Sequence, residues 1–213
     1  MRSTESKFLQ LAKQLEGIIP DRSIEQIVEW LLEFRIHLKI TPRRKSKYGD
    51  FQGATFDSPH KISVNGDLNP YSFLIVLVHE MAHLFTYEVY RHDVKPHGKE
   101  WKHNFLKLMI PFFHAQVFPP ELELAVKKSM LNPGASGCVD EELFKALRVY
   151  DKNKAGELLE NLSLHELFAT PDGKVYRKGK KLRKRYRCTE LDTNDKYLFS
   201  SVAEVMPLED GEA

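Results

Sequence analysis

Apolar positions recur at helical spacing in two segments near the start of the chain, residues 8–15 and 24–32. Side chains three or four positions apart share one face of a helix, so both segments predict amphipathic helices, the second with Ser23 as its N-cap. Residues 34–40 instead alternate strictly between apolar and polar, which is the period of a half-buried strand. The chain is therefore expected to pass from a helical layer into a sheet.

The middle of the chain predicts two short strands followed by two long helices. Residues 51–56 and 61–64 have strand composition and favour a small antiparallel sheet. Pro70 suits the first turn of a helix, where its missing amide proton costs nothing, and that helix is expected to reach about residue 90. A further helix is expected from residue 97 or 98 to about residue 114, burying Trp101 and the apolar positions spaced with it.

Turn-forming residues divide the remainder of the chain. The Pro- and Gly-rich segment 132–137, which follows residues 122–130, is interpreted as a domain boundary. Short helices are expected at 140–150 and 153–161. Beyond them, Pro171-Asp-Gly173 is typical of a hairpin turn between short strands.

These elements predict an α+β fold in three parts. Residues 1–131 form the main domain, with helices packed on a short antiparallel sheet, and residues 132–163 form a helical linker. Residues 164–213 form a basic, β-rich C-terminal subdomain.

Composition excludes several classes of protein. With 42% hydrophobic and 29% charged residues, the chain is an ordinary folded one. Its longest uninterrupted apolar run, residues 73–78, is far shorter than the roughly 20 residues of a membrane-spanning helix. Residues 1–17 lack the pattern of a signal peptide, so a cytoplasmic location without membrane attachment is expected. Two cysteines, Cys138 and Cys188, cannot build a four-cysteine zinc site.

Candidate chemistry is concentrated in His79-Glu-Met-Ala-His83. Two histidines four residues apart project from one face of a helix and can bind the same metal ion. Glu80 lies beside the first histidine, where a carboxylate can accept a proton from water rather than bind the metal. Chance could produce such a pentad, but unpaired His and Glu side chains would be costly within so apolar a helix.

A catalytic zinc ion normally has three protein ligands, so a third must come from elsewhere. Thr86 and Val89 stand where the metzincin extension would require Gly and His, which excludes that arrangement. His97 is favoured because Pro96 and Gly98 flank it in a turn that can direct an imidazole toward the ion. Three other residues stay open as alternatives: His92, Glu100 and His103.

The pentad followed by His97-Gly-Lys-Glu-Trp101 resembles the SprT-like metalloprotease family, which includes the Spartan proteases. The resemblance spans approximately residues 8–113 and includes the approach to the catalytic helix at residues 61–69. It implies a small zincin-like fold over residues 1–131, with zinc held by His79, His83 and His97 and with Glu80 as the base. Spartan-type members cut proteins trapped on DNA. Many bacterial members end in a zinc ribbon, whereas this tail has only Cys188 and is expected to be ribbon-like without zinc-ligand cysteines.

The predicted function is hydrolysis of peptide bonds in a protein or peptide substrate. Zinc would lower the pKa of water toward about 7, and Glu80 would accept the proton. Zn²⁺ is the default cofactor, although three imidazoles also suit iron, cobalt or nickel. The alternative is a nucleic-acid-binding or structural zinc protein without proteolytic activity, but a structural site normally fills all four positions with protein ligands.

Positive charge is concentrated in residues 174–187, which suggests DNA as a partner. These basic residues could contact phosphates, and Tyr176 or Tyr186 could stack on bases. The alternative is a solvated hairpin whose charges discourage edge-to-edge aggregation. The nine candidates are Lys174, Arg177, Lys178, Lys180, Lys181, Arg183, Lys184, Arg185 and Arg187.

Overall fold

The computed structural model describes residues 2–44, 46–131, 140–154 and 156–208, which form an α+β protein. The chain divides into two compact units, Met1–Asp151 and Lys152–Ala213. Helices predominate in the first unit, and short strands make up most of the second. Each unit has its own hydrophobic core.

The first unit contains six α-helices, one short 3₁₀ helix (Asp21–Ser23) and three strands within its described residues. The helices predicted from apolar spacing are confirmed, but Ser23 makes no capping hydrogen bond because its hydroxyl donates to the carbonyl of Pro20. In chain order the elements are α1 (Arg2–Leu15), α2 (Ile24–Glu33), β1 (His37–Thr41), β2 (Gly49–Gln52), β3 (Lys61–Asn65), α3 (Pro70–Tyr90), α4 (Lys99–His114), α5 (Pro120–Met130) and α6 (Glu141–Arg148).

The three strands form one mixed sheet in the order β1-β3-β2. β2 and β3 pair antiparallel, with Gly49 opposite Val64, but β1 and β3 run parallel, with His37 opposite Lys61. The prediction of a wholly antiparallel sheet is therefore wrong. β2 lies on the far side of β3 instead of between β1 and β3, so β1 and β3, which run in the same direction, become direct neighbours.

α3 is the central helix of this unit. Every residue from Ser72 to Ala82 is buried, and α4 packs along the helix. By length and composition alone α3 could cross a membrane, but 72% of its most apolar 18-residue window is buried inside the protein. Its apolar surface is therefore used in the core. Trp101 and Phe112 of α4 are among the largest fully buried side chains, as the spacing predicts.

The second unit is a β structure with a small aromatic core. Its main sheet has the order β4-β10-β5-β6-β8-β7, and β9 pairs with β8. β5 and β6 pair antiparallel on either side of residues 171–173, which confirms the predicted hairpin. Phe168, Tyr176 and Cys188 are buried at its centre. The strands are β4 (Glu157–Leu158), β5 (Leu167–Ala169), β6 (Val175–Arg177), β7 (Lys181–Leu182), β8 (Arg185–Glu190), β9 (Lys196–Ser200) and β10 (Glu204–Pro207).

The division of the chain differs from the predicted boundaries at residues 131/132 and 163/164. α6 belongs to the first unit because it packs on α5. The helix predicted at residues 153–161 is wrong: this stretch contains β4 and a 3₁₀ turn, and Leu158 and Leu159 are buried. The predicted breaker segment 132–137 and Cys138 lie outside the described residues.

Asn69 determines where α3 begins. Its side-chain oxygen accepts a hydrogen bond from the Ser72 amide at 2.9 Å, and its amide nitrogen donates to Leu147 O at 3.0 Å and Asp151 Oδ1 at 2.6 Å. We expect Asn69→Ala to lower the free energy of unfolding by about 2 kcal/mol, because a cap and buried hydrogen bonds are lost.

Urea denaturation followed by tryptophan fluorescence measures this loss, since both tryptophans, Trp30 and Trp101, belong to the first unit. Asn69→Ser is the matched control: it keeps a capping oxygen but loses the donors to Leu147 and Asp151, so its loss should be intermediate. Two variants as stable as the wild type would contradict this role of Asn69.

Candidate metal centre

The three histidines predicted as metal ligands converge in the first unit. His79 and His83 extend from successive turns of α3, and His97, which has a positive φ of 57°, lies in the turn before α4. The Nε2 atoms are 3.3 Å apart for His79 and His83, 3.0 Å for His83 and His97, and 3.1 Å for His79 and His97. All three imidazoles thus face one point.

This geometry fits a divalent transition-metal ion. Three nitrogens bound to one tetrahedral ion at about 2.0–2.1 Å would be separated from each other by about 3.3 Å. The observed Nε2 separations of 3.0–3.3 Å lie close to that value. Among the residues that the structure describes, these three histidines form the group able to hold a metal ion.

Burial keeps the three imidazoles neutral, which is the form that binds metals. Desolvation, followed by the charges of His83 and His97, lowers the pKa of His79 to about 3. Desolvation and then His97 lower the pKa of His83 to about 4, and desolvation lowers the pKa of His97. Near neutral pH each ring therefore has a lone pair available.

Trp101 contacts the whole cluster from α4. Its ring centroid lies 4.6 Å from that of His79, 5.4 Å from His83 and 4.7 Å from His97. Trp101 is 1% exposed and stacks on Phe105 at 5.2 Å with an angle of 8° between the rings. Helical spacing predicts Trp101 as a core residue but does not predict its contact with the imidazoles. The one signal in the sequence is that Trp101 follows His97 by four residues.

The other three candidate ligands lie outside the histidine group. The ring of His92 lies 5.4 Å from that of Tyr87, and Glu100 forms an ion pair with Lys99 at 3.7 Å. His103 is exposed on α4. The preference for His97 among the open alternatives therefore agrees with the geometry.

Glu80 is buried beside the histidines on α3, with 7% of its surface exposed. Desolvation, and then the negative charge of Asp50, raises the pKa of Glu80 to about 7, while Lys47 and Arg44 oppose the shift. Lys47 also pairs with Asp50 at 2.8 Å. These neighbours come from β2 and the segment before it, so the helical motif in the sequence does not reveal them.

Two of the nine basic candidates in the second unit have internal partners. Lys178 is 3% exposed, and its ammonium group donates to the carbonyls of Glu160 and Leu162. Its predicted role in phosphate binding is wrong because the charge is buried, and burial also lowers its pKa. Lys174 is accessible but forms an ion pair with the buried Glu190 at 2.8 Å. The exposed remainder comprises Arg177, Lys180, Lys181, Arg183, Lys184, Arg185 and Arg187.

The two tyrosines of this segment are not free to stack on bases as predicted. Tyr176 is 5% exposed and packs on Phe168, with 5.6 Å between the ring centroids. Tyr186 is half-buried, and the ammonium groups of Lys178 and Lys181 lie 4.3 and 5.5 Å from its ring centroid. Both rings therefore serve the unit's own packing.

The fold and the site define an α+β domain with a candidate three-histidine metal centre. Residues 22–121 match the sequence profile of the SprT-like family, so this part of the chain is a SprT-like domain, as the motifs indicate. That assignment supports a zinc metallopeptidase at the level of the family. The match covers most of the first unit and none of the second.

A curated relative agrees with this assignment over a short stretch. Protein SprT of Vibrio parahaemolyticus is 60% identical over 35 residues, which are 16% of this chain and 21% of that protein. The chain thus matches about a fifth of the length of this relative. No solved structure matches the chain.

The contact of Trp101 with all three imidazoles predicts a role in metal affinity. Trp101→Leu removes the aromatic face, and we expect zinc affinity to fall about tenfold, the lower end of what supporting residues contribute. Trp101→Phe keeps a smaller ring and should lose less. Competition with a chromophoric chelator measures the affinities, at a temperature where circular dichroism shows both variants folded. Equal affinity in all three proteins would contradict a supporting role.

Proposed function

We propose that the SprT-like domain is a zincin-like, zinc-dependent metalloprotease, with His79, His83 and His97 as the metal ligands. The observation that carries this proposal is the convergence of the three Nε2 atoms within 3.0–3.3 Å of one another. A zinc ion held there would act as a Lewis acid on a peptide carbonyl and would acidify water.

Glu80 is the proposed general base. It follows His79 directly on α3 and is not part of the histidine group, so its carboxylate stays available for proton transfer. In the proposed reaction Glu80 accepts the proton of the attacking water and returns it to the amine that leaves. Its low exposure limits competition from bulk water for the carboxylate.

The number of ligands favours catalysis over a purely structural site. Structural zinc normally has four protein ligands, whereas the described residues bring three together. β2 supports a polypeptide substrate, because it is an edge strand of its sheet in the described part of the chain and lies against α3. An extended peptide can add to such an edge through main-chain hydrogen bonds.

Hydrolysis of an unfolded protein such as casein, by the full chain loaded with one equivalent of zinc, tests this proposal. We expect Glu80→Gln to bind zinc normally but to cleave at least about 100-fold more slowly, since a general base typically contributes that much or more. Glu100→Gln, which neutralises an acidic residue at the start of α4 outside the metal group, should cleave at the wild-type rate.

Cleavage by Glu80→Gln at the wild-type rate would contradict the role of Glu80. A wild-type chain that binds zinc but cleaves nothing would instead favour the alternative, a zinc protein without proteolytic activity.

A second proposal concerns the C-terminal unit, whose sheet presents what we term the basic face: Lys180, Arg185, Arg187 and Lys196. Arg185, Arg187 and Thr189 alternate along β8, and Lys196 of β9 lies opposite Thr189, so these side chains share one face. The amide of Arg187 donates to Lys180 O, which places Lys180 beside them. The opposite face carries the buried Cys188. We propose that the basic face binds single-stranded DNA, and that the protease acts on proteins associated with DNA.

Binding of a labelled oligothymidylate tests the basic face. We expect Arg185→Ala combined with Arg187→Ala to weaken binding at least about tenfold and to reduce the slope of log affinity against log salt by about 1.4, or about 0.7 per lost phosphate contact. Lys152→Ala combined with Lys154→Ala removes the same charge from the same unit outside the face. Equal losses in the two double variants would mean that only net charge matters.

A further inference from the structure

The backbone of β2 approaches Glu80 so closely that a side chain at residue 49 has no space. A Cβ atom built on Gly49 would lie 2.5 Å from Glu80 Oε1 and 2.8 Å from Glu80 Cγ. It would also lie 2.8 Å from Cγ1 of Val76, one turn earlier on α3. Real Cβ atoms essentially never come within 3.0 Å of such neighbours, so an alanine here would displace the strand, Val76 or Glu80.

Of these three, Glu80 is the group most able to move. Val76 is 2% exposed, and its branched side chain has one strongly preferred rotamer in a helix. β2 is held by four consecutive register pairs with β3, from Gly49 opposite Val64 to Gln52 opposite Lys61. The Glu80 carboxylate is the end of a flexible side chain, so a methyl group at residue 49 would push it from its place.

We propose that Gly49 is a positioning residue for Glu80: the missing side chain leaves the space in which the carboxylate lies beside the histidine cluster. This inference rests on the proposed function, because it assigns Gly49 a role through the general base. β2 thus contributes to the site through its main chain, and a substitution of this glycine should affect proton transfer more than substrate or metal binding.

The test is the hydrolysis of a quenched fluorescent peptide by Gly49→Ala. We expect kcat to fall by about 100-fold, the loss typical of a catalytic group displaced by about 1 Å, with KM changed less than about threefold. Zinc content should stay at one equivalent, because the atoms nearest the added methyl belong to Glu80 and Val76 and not to a histidine.

Gly53→Ala is the matched control, since Gly53 directly follows β2 and also faces α3. A Cβ atom there would lie 2.8 Å from the ring of Tyr87, so this variant crowds the same strand and helix away from Glu80. We expect its kcat to stay within about threefold of the wild type. An equal fall in kcat in both variants would overturn the proposal, because general crowding of β2 against α3 would then explain the loss.

Shortening Glu80 separates positioning from folding. Glu80→Asp withdraws the carboxylate from the atoms nearest residue 49, so Gly49→Ala should cost little further activity when added to Glu80→Asp. Fully additive losses would overturn the proposal.

Binding of acetohydroxamic acid to the zinc-loaded protein provides a readout that needs no hydrolysis, because a carboxylate in the position of Glu80 can accept the proton that the acid loses and so favours binding. Affinity should fall in Gly49→Ala and Glu80→Gln but not in Gly53→Ala. If this pattern holds while the wild type cleaves nothing, the proposed protease function fails and the positioning by Gly49 stands. Wild-type hydroxamate affinity in Gly49→Ala would overturn the positioning.

Discussion

The buried helix α3 has to accommodate two ionisable side chains, His79 and Glu80, within a core of apolar residues. Burial of such groups is unfavourable unless each gains a partner. A metal ion shared with His83 and His97 would compensate the imidazoles through Nε2. The same burial that makes α3 the centre of the core therefore makes it the natural place for the metal site.

Elements around α3 complete this arrangement from different parts of the chain. The turn before α4 brings in His97, and α4 places Trp101 against all three imidazoles. On another side of α3, β2 places Gly49 against Glu80. β2 also places the negative charge of Asp50 close enough to raise the pKa of Glu80. Two of the three ligands, His79 and His83, thus share one helix with the base, while their orientation depends on neighbours that are distant in sequence.

The second unit also buries a charged side chain, but its described residues contain no group of metal-binding side chains. A buried ammonium, that of Lys178, donates to the carbonyls of Glu160 and Leu162 and lies over the ring of Tyr186. These contacts join the residue that follows β6 to the segment after β4. The charge of Lys178, which the sequence suggests for phosphate binding, is therefore used inside the unit, and the proposed contacts with DNA involve the exposed basic face instead.

Local patterns predicted the helices α1 to α4 and the histidine group because both depend on residues close in sequence. The period of apolar residues predicted α3 and α4, and the flanking Pro96 and Gly98 favoured His97. The prediction of a wholly antiparallel sheet failed because the parallel pairing of β1 with β3 depends on where β2 lies in space. The prediction that Lys178 binds phosphate failed because a lysine in a basic segment is expected to be exposed, whereas the fold buries this one. The contacts of Trp101 with the imidazoles and of Gly49 with Glu80 were not predicted either, because they arise where separate elements pack together.

X-ray absorption at the zinc K edge tests the central claim most directly, applied to the full chain with one equivalent of zinc. The account predicts three imidazole nitrogens at about 2.0–2.1 Å, with one of them lost in His97→Ala. A sulfur ligand at about 2.3 Å, or a spectrum unchanged in His97→Ala, would contradict it.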